Sequence, residues 1–283
     1  MEIVKAVADM QRRSETLRNQ GRRIGLVPTM GYLHEGHACL IRKAKELSDV
    51  VVTSLFVNPT QFGPDEDFER YPRDFERDRA IAAKAGTDIL FSPEPTEMYQ
   101  EGDHAVVEPG PVAAILEGKF RPNHFRGVAT VVAKLFNITK PHLSVFGQKD
   151  AQQAFLIQQM VIDFNFDVQV VVVPIVREKD GLAMSSRNVY LKSDERKNAL
   201  VLSRSLVHAA ERVKAGETSV KRLKEEMLKI LSGGNPTNID YIAFVHLKAF
   251  KEVETIEPPN VLIVLAVRFG TTRLIDNAIV SVN

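Results

Sequence analysis

The hydrophobic pattern of the first two thirds of the chain alternates between two kinds of segment. Short runs rich in Val, Ile and Leu recur at Ile24 to Val27, Val50 to Val57, Asp88 to Phe91, Leu143 to Phe146 and Val168 to Val173. Between them, His37 to Leu47 and Gln152 to Ile162 repeat apolar residues at helical spacing. Near-continuous apolar strands that alternate with helices predict a parallel sheet covered on both faces, with ligands beyond the carboxyl ends of its strands.

The pattern changes after Pro174. Ser193, followed by two acidic residues, is typical of a helix start, and this helix is expected to run to about Ala215. A second helix is predicted from about Ser219 to Leu231, and three strand-like runs follow it: Ile239 to Leu247, Val261 to Phe269 and Leu274 to Val282. The sequence therefore predicts a doubly wound, Rossmann-like α/β domain over residues 1–175 and a smaller α+β domain with an antiparallel sheet over residues 176–283.

Composition and charge narrow the class of protein. The chain has 283 residues, 44% of them hydrophobic and 26% charged, which is typical of a folded protein. Its 37 Lys and Arg against 36 Asp and Glu leave a formal charge of +1, so we expect neither nucleic acid nor a membrane surface as a partner. A single cysteine, Cys39, excludes an intramolecular disulfide and fits the cytoplasm. Charges interrupt the apolar residues of Met1 to Asp9, which is not expected of a signal peptide.

The segment Pro28 to His37 is the first candidate for chemistry, because it lies between the first strand and the first helix. Its glycines, Gly31 and Gly36, let the backbone turn closely, and the following helix offers unpaired N–H groups and a positive dipole end. Two imidazoles, His34 and His37, beside such a terminus suit a phosphate ligand. An alternative interpretation is that both histidines only cap turns.

Other sites are disfavoured by spacing. His34 and His37 are three residues apart, whereas zinc proteases place two histidines four apart, although a metal site of another kind remains open. Cys39 and His37, two apart on a helix, point to different faces, so Cys39 is expected to be a small buried side chain. Gly118-Lys119 lacks the remainder of a P-loop, and Gly21 to Gly31 does not match the dinucleotide-binding pattern.

Several motifs together indicate a family. The segment His34 to His37, combined with Met184 to Arg187, resembles the HxGH and KMSKS-type signatures of the nucleotidylyltransferase superfamily, although Ala183 stands where the latter has lysine. The further segments Phe56 to Phe62, Tyr71 to Arg73, Asn123 to Val128 and Phe146 to Gln153 extend the likeness. In this order, from about Pro28 to Leu191, they resemble the pantoate–β-alanine ligase family, whose members are pantothenate synthetases.

The resemblance implies which residues bind and react. ATP would contact Met30, Gly31, Tyr32, Leu33, His34, Glu35, Gly36, His37, Gly147, Gln148, Lys149, Asp150, Val176, Met184, Ser185, Ser186 and Arg187. Gln61 and Gln153 would hold pantoate, with Gln61 also near β-alanine. His37 is the proton donor that the family assigns, and His34, Lys149 and Arg187 complete the expected catalytic set. The first domain would bind ATP and pantoate, and the second would act as a lid.

The implied reaction is a two-step ligation. Pantoate carboxylate attacks the α-phosphate of ATP to give pantoyl adenylate and pyrophosphate, and the β-alanine amine then displaces AMP. We hypothesise that glutamine, rather than arginine, orients the pantoate carboxylate so that an ion pair does not reduce its nucleophilicity. Mg²⁺ is expected with ATP, and neither Asp78 nor Asp150 is assigned as a ligand to it. The resemblance also implies a homodimer.

Two other functions stay open on the sequence alone. One is a nucleotidylyltransferase that stops at the nucleotidyl product, and the other is a regulatory nucleotide-binding module that has lost catalysis. Three residues near the motifs, Asn58, Tyr71 and Arg121, could line the pantoate pocket. The alternative for Asn58 is a plain turn, and the alternative for Arg121 is a surface cation. We expect the plain turn for Asn58 and the surface cation for Arg121.

Overall fold

A computed structural model describes residues 1–64 and 66–282 and divides the chain into two compact units. The first unit consists of Met1–Gln148 and Gln152–Pro174. The second consists of Lys149–Ala151 together with the chain from Ile175 onward. Within the described residues, no helix is long and apolar enough to cross a membrane.

The first unit is built on a sheet of six parallel strands. These are β1 (Glu2–Val4), β2 (Ile24–Thr29), β3 (Val50–Leu55), β4 (Ile89–Phe91), β5 (Leu143–Gly147) and β6 (Gln169–Val173). They lie in the order β1-β4-β3-β2-β5-β6, and every neighbouring pair is parallel. The helices of this part of the chain are α1 (Val7–Asn19), α2 (Glu35–Leu47), α3 (Phe75–Ala85), α4 (Pro95–Met98), α5 (Glu117–Phe120), α6 (His124–Thr139) and α7 (Ala151–Asp163).

Alternation along the strands sorts their side chains into two cores, one on each face of the sheet. In β2, Ile24 and Leu26 belong to a cluster that contains Met10 of α1 and much of α6, whereas Val27 belongs to a second cluster with Ile41 of α2. Successive side chains of a strand point to opposite faces, so a strand buried on both sides must be apolar at nearly every position. This is the origin of the unbroken apolar runs.

The strand order places the candidate loops. Strand β2 lies between β3 and β5, which is where the order of a doubly wound sheet reverses and where its ligands bind. The loop that leads from β2 into α2 and the residues that follow β5 both start at the carboxyl edge of these central strands.

The second unit packs helices on an antiparallel sheet. Its helices are α8 (Ser193–Asn198), α9 (Val201–Lys214) and α10 (Val220–Ser232), and its strands are β7 (Asn238–His246), β8 (Lys251–Glu252), β9 (Asn260–Phe269) and β10 (Thr272–Ser281). The strands lie in the order β10-β9-β7-β8. Apolar side chains of α9 and α10, such as Leu206 and Met227, form one cluster with Phe244 and Ile263 of the sheet.

The predicted fold class is confirmed, and the individual elements differ from the prediction in four ways. The apolar spacing given above predicts none of the helices α1, α3 and α6, nor the short helices α4 and α5. The helix expected from Ser193 to Ala215 is two helices, because the amides of Leu200 and Leu202 bond three residues back instead of four. Strands β1 and β8 have three and two residues, which is too few for the apolar alternation of a strand to be recognised in the sequence, and neither is predicted. Helix α2 begins at Glu35, two residues before the apolar spacing indicates.

Candidate active site

The two histidines that follow β2 are fixed by the start of α2. His34 is the N-cap of α2, and its Nδ1 accepts a hydrogen bond from the Gly36 amide at 3.1 Å. His37, in the first turn of the helix, returns the contact, because its Nδ1 accepts from the His34 amide at 3.3 Å, and the two ring centroids are 4.1 Å apart. Both Nδ1 atoms act as acceptors, so a neutral ring carries its proton on Nε2. The histidines therefore cap the positive end of the helix, where an anion is favoured.

Asp78 of α3 holds the turn that precedes these histidines. Its two carboxylate oxygens accept hydrogen bonds from the amides of Tyr32 and Leu33, at 2.7 and 2.6 Å, and its side chain is 2% exposed. Burial raises the pKa of Asp78, and the two amide hydrogen bonds oppose that rise. Two N–H donors thus compensate the buried carboxylate, and the carboxylate pairs two amides of the loop.

The turn itself needs this support because its backbone is unusual. Gly31 has a φ of +92°, and a Cβ there would lie 3.1 Å from an Asp78 oxygen. Tyr32 has a φ of +49°, a region that side-chain-bearing residues rarely occupy. The guanidinium of Arg77, the neighbour of Asp78, lies 4.4 Å from the Tyr32 ring centroid. Helix α3 therefore fixes both the backbone and one side chain of the loop.

Asn58 is a buried hydrogen-bonding hub, so the expectation of a plain turn misses its main role. Its Oδ1 accepts from the Tyr99 hydroxyl at 2.8 Å and from the Thr60 hydroxyl at 2.9 Å. Burial raises the pKa of Tyr99, which favours the protonated hydroxyl that donates here. The Nδ2 of Asn58 donates to the Gly127 carbonyl and to Oε1 of Gln61, both at 3.1 Å.

This hub determines how Gln61 is oriented. Because Asn58 donates to Oε1, the Nε2 of Gln61 faces the other way and lies 3.0 Å from the sulfur of Met30, in the loop after β2. The structure thus brings the residue predicted for pantoate next to a residue predicted for ATP. Helix α6 lies close to the turn that carries Thr60 and Gln61, and this is possible because Gly127 has no side chain. A Cβ on Gly127 would lie 2.3 Å from the Thr60 carbonyl oxygen.

Arg121 is not a surface cation, and that expectation was wrong. Its guanidinium forms a two-pronged pair with the Glu66 carboxylate, at 3.0 and 2.6 Å, and its side chain is 13% exposed. Its third nitrogen lies 3.0 Å from Nε2 of His124, and Nδ1 of that buried histidine lies 2.9 Å from the Gln61 carbonyl oxygen. Arg121 and His124 therefore reach the same short turn that carries Gln61.

Adjacent glutamines at the start of α7 have different surroundings. Gln152 is buried and structural, because its amide accepts from the Glu117 amide and donates to the carbonyls of Val112 and Ile115. Gln153 is half-buried on the next position of the helix. The family resemblance implies a pantoate contact for Gln153 alone. The contacts of Gln152 depend on the loop that packs against the helix, which sequence spacing does not show.

Lys149, Asp150 and the predicted residues from Val176 to Arg187 belong to the second unit, whereas Gly147, Gln148 and Gln153 belong to the first. Gly147 ends β5, and the three residues that follow it, Gln148, Lys149 and Asp150, form a short 3₁₀ helix. Asp150 is exposed, and its carboxylate lies 3.6 Å from Nζ of Lys149.

Met184 donates its amide to the Val176 carbonyl at 3.0 Å, so these two residues lie side by side across a hairpin. Ser185 caps the following 3₁₀ helix by accepting from the Arg187 amide at 3.2 Å, and Ser186 is buried.

The remaining predictions have simple outcomes. Glu35 is exposed and pairs with Arg42, while Leu33 is fully buried, so both offer a ligand mainly their backbone. Cys39 is partly buried and packs against the apolar core beside α2, but it is not fully enclosed.

Among residues 1–64 and 66–282, no cluster of three His, Cys, Asp or Glu side chains could hold a metal ion. No local pattern in the sequence indicates Asp78 or His124 as an organising group, because both act on residues distant in the chain.

Replacing Asp78 with Asn tests its hold on the loop. The amide nitrogen of Asn cannot accept, so one of the Tyr32 and Leu33 amides loses its partner, at a cost of about 1–3 kcal/mol in the free energy of unfolding. Hydrogen exchange should become faster at these two amides. Asp74→Asn is the matched control, because Asp74 is the exposed N-cap of the same helix and Asn caps equally well. Unchanged exchange in Asp78→Asn would contradict the assignment.

Comparison with known proteins places this geometry in a family. The family model described as pantoate-beta-alanine ligase matches residues 2–279. The pantothenate synthetase of Acetivibrio thermocellus is 50% identical over 282 residues and that of Caldicellulosiruptor saccharolyticus 52% over 282, each covering 100% of both chains.

Solved structures agree with the sequence relatives. The pantothenate synthetase of Thermus thermophilus has a TM-score of 0.92 at 44% identity, covering 98% of this chain and 99% of that one. The pantoate-beta-alanine ligase of Francisella tularensis, described as complexed with beta-gamma ATP and beta-alanine, has a TM-score of 0.80 at 36% identity, covering 98% and 97%. The family joins pantoate to β-alanine in an ATP-dependent, amide-forming ligation. The chain described here belongs to the pantoate–β-alanine ligase family.

Proposed function

We propose that this chain makes pantothenate from (R)-pantoate and β-alanine through a pantoyl-adenylate intermediate, with release of pyrophosphate and AMP. The observation that carries the proposal is local. Met30, His34, His37 and Gln61 lie in the segments that follow β2 and β3 at the carboxyl edge of one parallel sheet, with Nε2 of Gln61 turned toward Met30. Membership of the family over nearly the whole chain supports the choice of substrates.

The first step forms a mixed anhydride. A carboxylate oxygen of pantoate attacks the α-phosphorus of ATP, and the bond from that phosphorus to the bridging β-oxygen breaks as pyrophosphate leaves. The barrier arises largely from bringing an anion toward a triphosphate, so donors already fixed in place are the main contribution that a protein can make. His34 and His37 fit this role because hydrogen bonds from backbone amides to their Nδ1 atoms fix the orientation of both rings at the start of α2.

The second step forms the amide. The β-alanine nitrogen attacks the acyl carbon of pantoyl adenylate, the bond from that carbon to the phosphate oxygen breaks, and AMP leaves while the nitrogen loses a proton. Gln61 is proposed to bind pantoate and to lie near β-alanine in this step. Its fixed orientation gives pantoate an Nε2 donor, since its Oε1 already accepts from Asn58.

Residues of the second unit are proposed to complete ATP binding. Lys149 and Arg187 supply the positive charge, and the hydroxyl of Ser185 lies in the same segment as Arg187. The remaining proposed contacts to ATP are those of Gly31, Tyr32, Leu33, Glu35, Gly36, Gly147, Gln148, Asp150, Val176, Met184 and Ser186. Gln153 is proposed as the second pantoate ligand, and its half-buried place on α7 is consistent with that role.

Mg²⁺ is proposed as the cation that accompanies ATP. Magnesium commonly binds through substrate phosphates and one or two carboxylates. The exposed carboxylate of Asp150 fits such a role better than that of Asp78, whose two oxygens already accept from loop amides, and neither is assigned as a ligand. When bound, Mg²⁺ would neutralise charge on the phosphate oxygens.

We further propose that the protein is a cytoplasmic homodimer. Family resemblance supports the dimer, and the use of ATP in a biosynthetic reaction supports the compartment. Sedimentation of the purified chain measures the first, and localisation in intact cells measures the second.

Pyrophosphate exchange tests the reaction class. Labelled pyrophosphate should enter ATP only when pantoate is present, because the adenylation step is reversible. Pantothenate and AMP should appear only when β-alanine is added as well. Absence of pantoate-dependent exchange in the purified protein would remove the ligase proposal, and a stable nucleotidyl product that β-alanine cannot consume would favour a nucleotidylyltransferase.

Replacing His37 with Ala tests its role on the phosphates. Removing one fixed donor to transition-state charge typically costs about 3–4 kcal/mol, so adenylation should slow by roughly 10²–10³. ATP binding, measured by calorimetry, should weaken far less, because the interaction strengthens mainly in the transition state. Equal losses in rate and in binding would instead show a ground-state contact.

Charged replacements of the two glutamines test how pantoate is held. Gln61→Glu and Gln153→Glu each place a carboxylate where pantoate is proposed to bring its own, so the KM for pantoate should rise sharply in both. Gln158→Glu is the control, since it makes the same chemical change on an exposed position of α7. Unchanged KM values for pantoate in the first two variants would exclude the proposed contacts.

A further inference from the structure

Two adjacent polar residues are buried in the last strand of the second unit. Asp276 and Asn277 of β10 are each 2% exposed. Neighbouring side chains of a strand point to opposite faces, so each must find its own partners. A buried carboxylate or amide without partners would be strongly destabilising. The partners of this pair therefore show what the strand holds in place.

Asp276 holds the hairpin that precedes Met184. Its oxygens accept from both terminal nitrogens of Arg177, at 2.7 and 2.9 Å, and such a two-pronged pair fixes direction as well as distance. The same arginine donates to the Gly181 carbonyl at 3.1 Å and forms a β-bridge with Ala183. The contact therefore anchors both arms of the hairpin, whose ends are Val176 and Met184.

Asn277 holds the other ATP segment of this unit. Its Nδ2 donates to the carbonyl oxygen of Lys149 at 3.0 Å, a contact between residues 128 positions apart. Its own amide donates to Oδ1 of Asp276 at 2.8 Å, so the two contacts share one rigid piece of strand. This explains why Lys149–Ala151 belongs to the second unit although the residues on either side belong to the first.

We propose that Asp276 and Asn277 form a positioning pair, which sets Lys149 relative to the segment from Met184 to Arg187. This role rests on the proposed function, in which both segments bind ATP. Neither residue of the pair touches the substrate in this scheme. Asn277 acts through the backbone of Lys149, and Asp276 acts through Arg177.

Exchange kinetics of Asn277 variants test the pair. Asn277→Ala removes the donor to Lys149, and Asn277→Asp keeps the shape but replaces the donor with an acceptor. Both should lower the rate of pantoate-dependent exchange by about 10–100-fold, with a smaller change in ATP binding, because a displaced Lys149 meets the transition state poorly. Asn238→Ala, which removes an exposed amide from the same sheet, should leave the rate unchanged.

A double-mutant cycle separates positioning from general stability. In a Lys149→Ala background the side chain to be positioned is gone, so Asn277→Ala should change the exchange rate by less than about 2-fold. Thermal unfolding of each variant is measured in parallel, since loss of the hydrogen bond should lower the melting temperature in both backgrounds.

The outcomes distinguish the two proposals. If the unmodified protein shows no pantoate-dependent exchange, the proposed function fails and the positioning role fails with it. If exchange is present and Lys149→Ala reduces it, but Asn277→Ala and Asn277→Asp match the unmodified rate, only the positioning role is overturned. An Asn277→Ala effect of equal size in both backgrounds also overturns it, because the residue would then act on stability alone.

Discussion

Most buried polar side chains of a protein are hydrogen-bonded, because an unpaired buried polar group is destabilising, and this constraint organises the candidate loops of this chain. Asp78 is satisfied by two loop amides, Asn58 by Gln61 and its neighbours, and Asn277 by the carbonyl of Lys149. In each case the hydrogen-bond partner of the buried side chain lies in a segment that carries a predicted site residue. Loops are ordinarily the most mobile parts of a domain, and here their backbones are tied to helices and strands of the core.

The same constraint explains why the histidine loop can be strained and yet defined. Gly31 and Tyr32 both have positive φ angles, which the chain would not adopt alone. Two hydrogen bonds to Asp78 and the start of α2 over-determine this conformation. The result is a pair of imidazoles whose orientation is fixed before any ligand binds. Preorganised donors are the main way in which a protein accelerates phosphoryl chemistry, which is the role proposed for this pair.

The two units hold their candidate segments in different ways. The parallel sheet of the first unit collects loops at one edge, because every strand ends on the same side. In the second unit the candidate segments include a hairpin and a short 3₁₀ helix, and Asp276 of β10 holds the hairpin through Arg177. Arg121 has a similar role in the first unit. It pairs with Glu66 and contacts His124, and so links two segments that are distant in the sequence, beside Gln61.

The sequence by itself determined the two sheets and the helices α2, α7 and α10, and its short motifs proposed the segments of the candidate site, because apolar periodicity and motifs are local signals. It did not indicate α1, α3 or α6. It also could not show that Asp78 supports the histidine turn, that Arg121 is paired, or that Gln152 holds three backbone groups, since each fact depends on a partner far along the chain. It also placed one helix where two exist, because the break at Ala199 and Leu200 is a change of hydrogen-bond spacing within a helix-favouring stretch. Tertiary structure alone decided these points, for burial is what forces a polar group to find its partner, and burial is set by the whole fold.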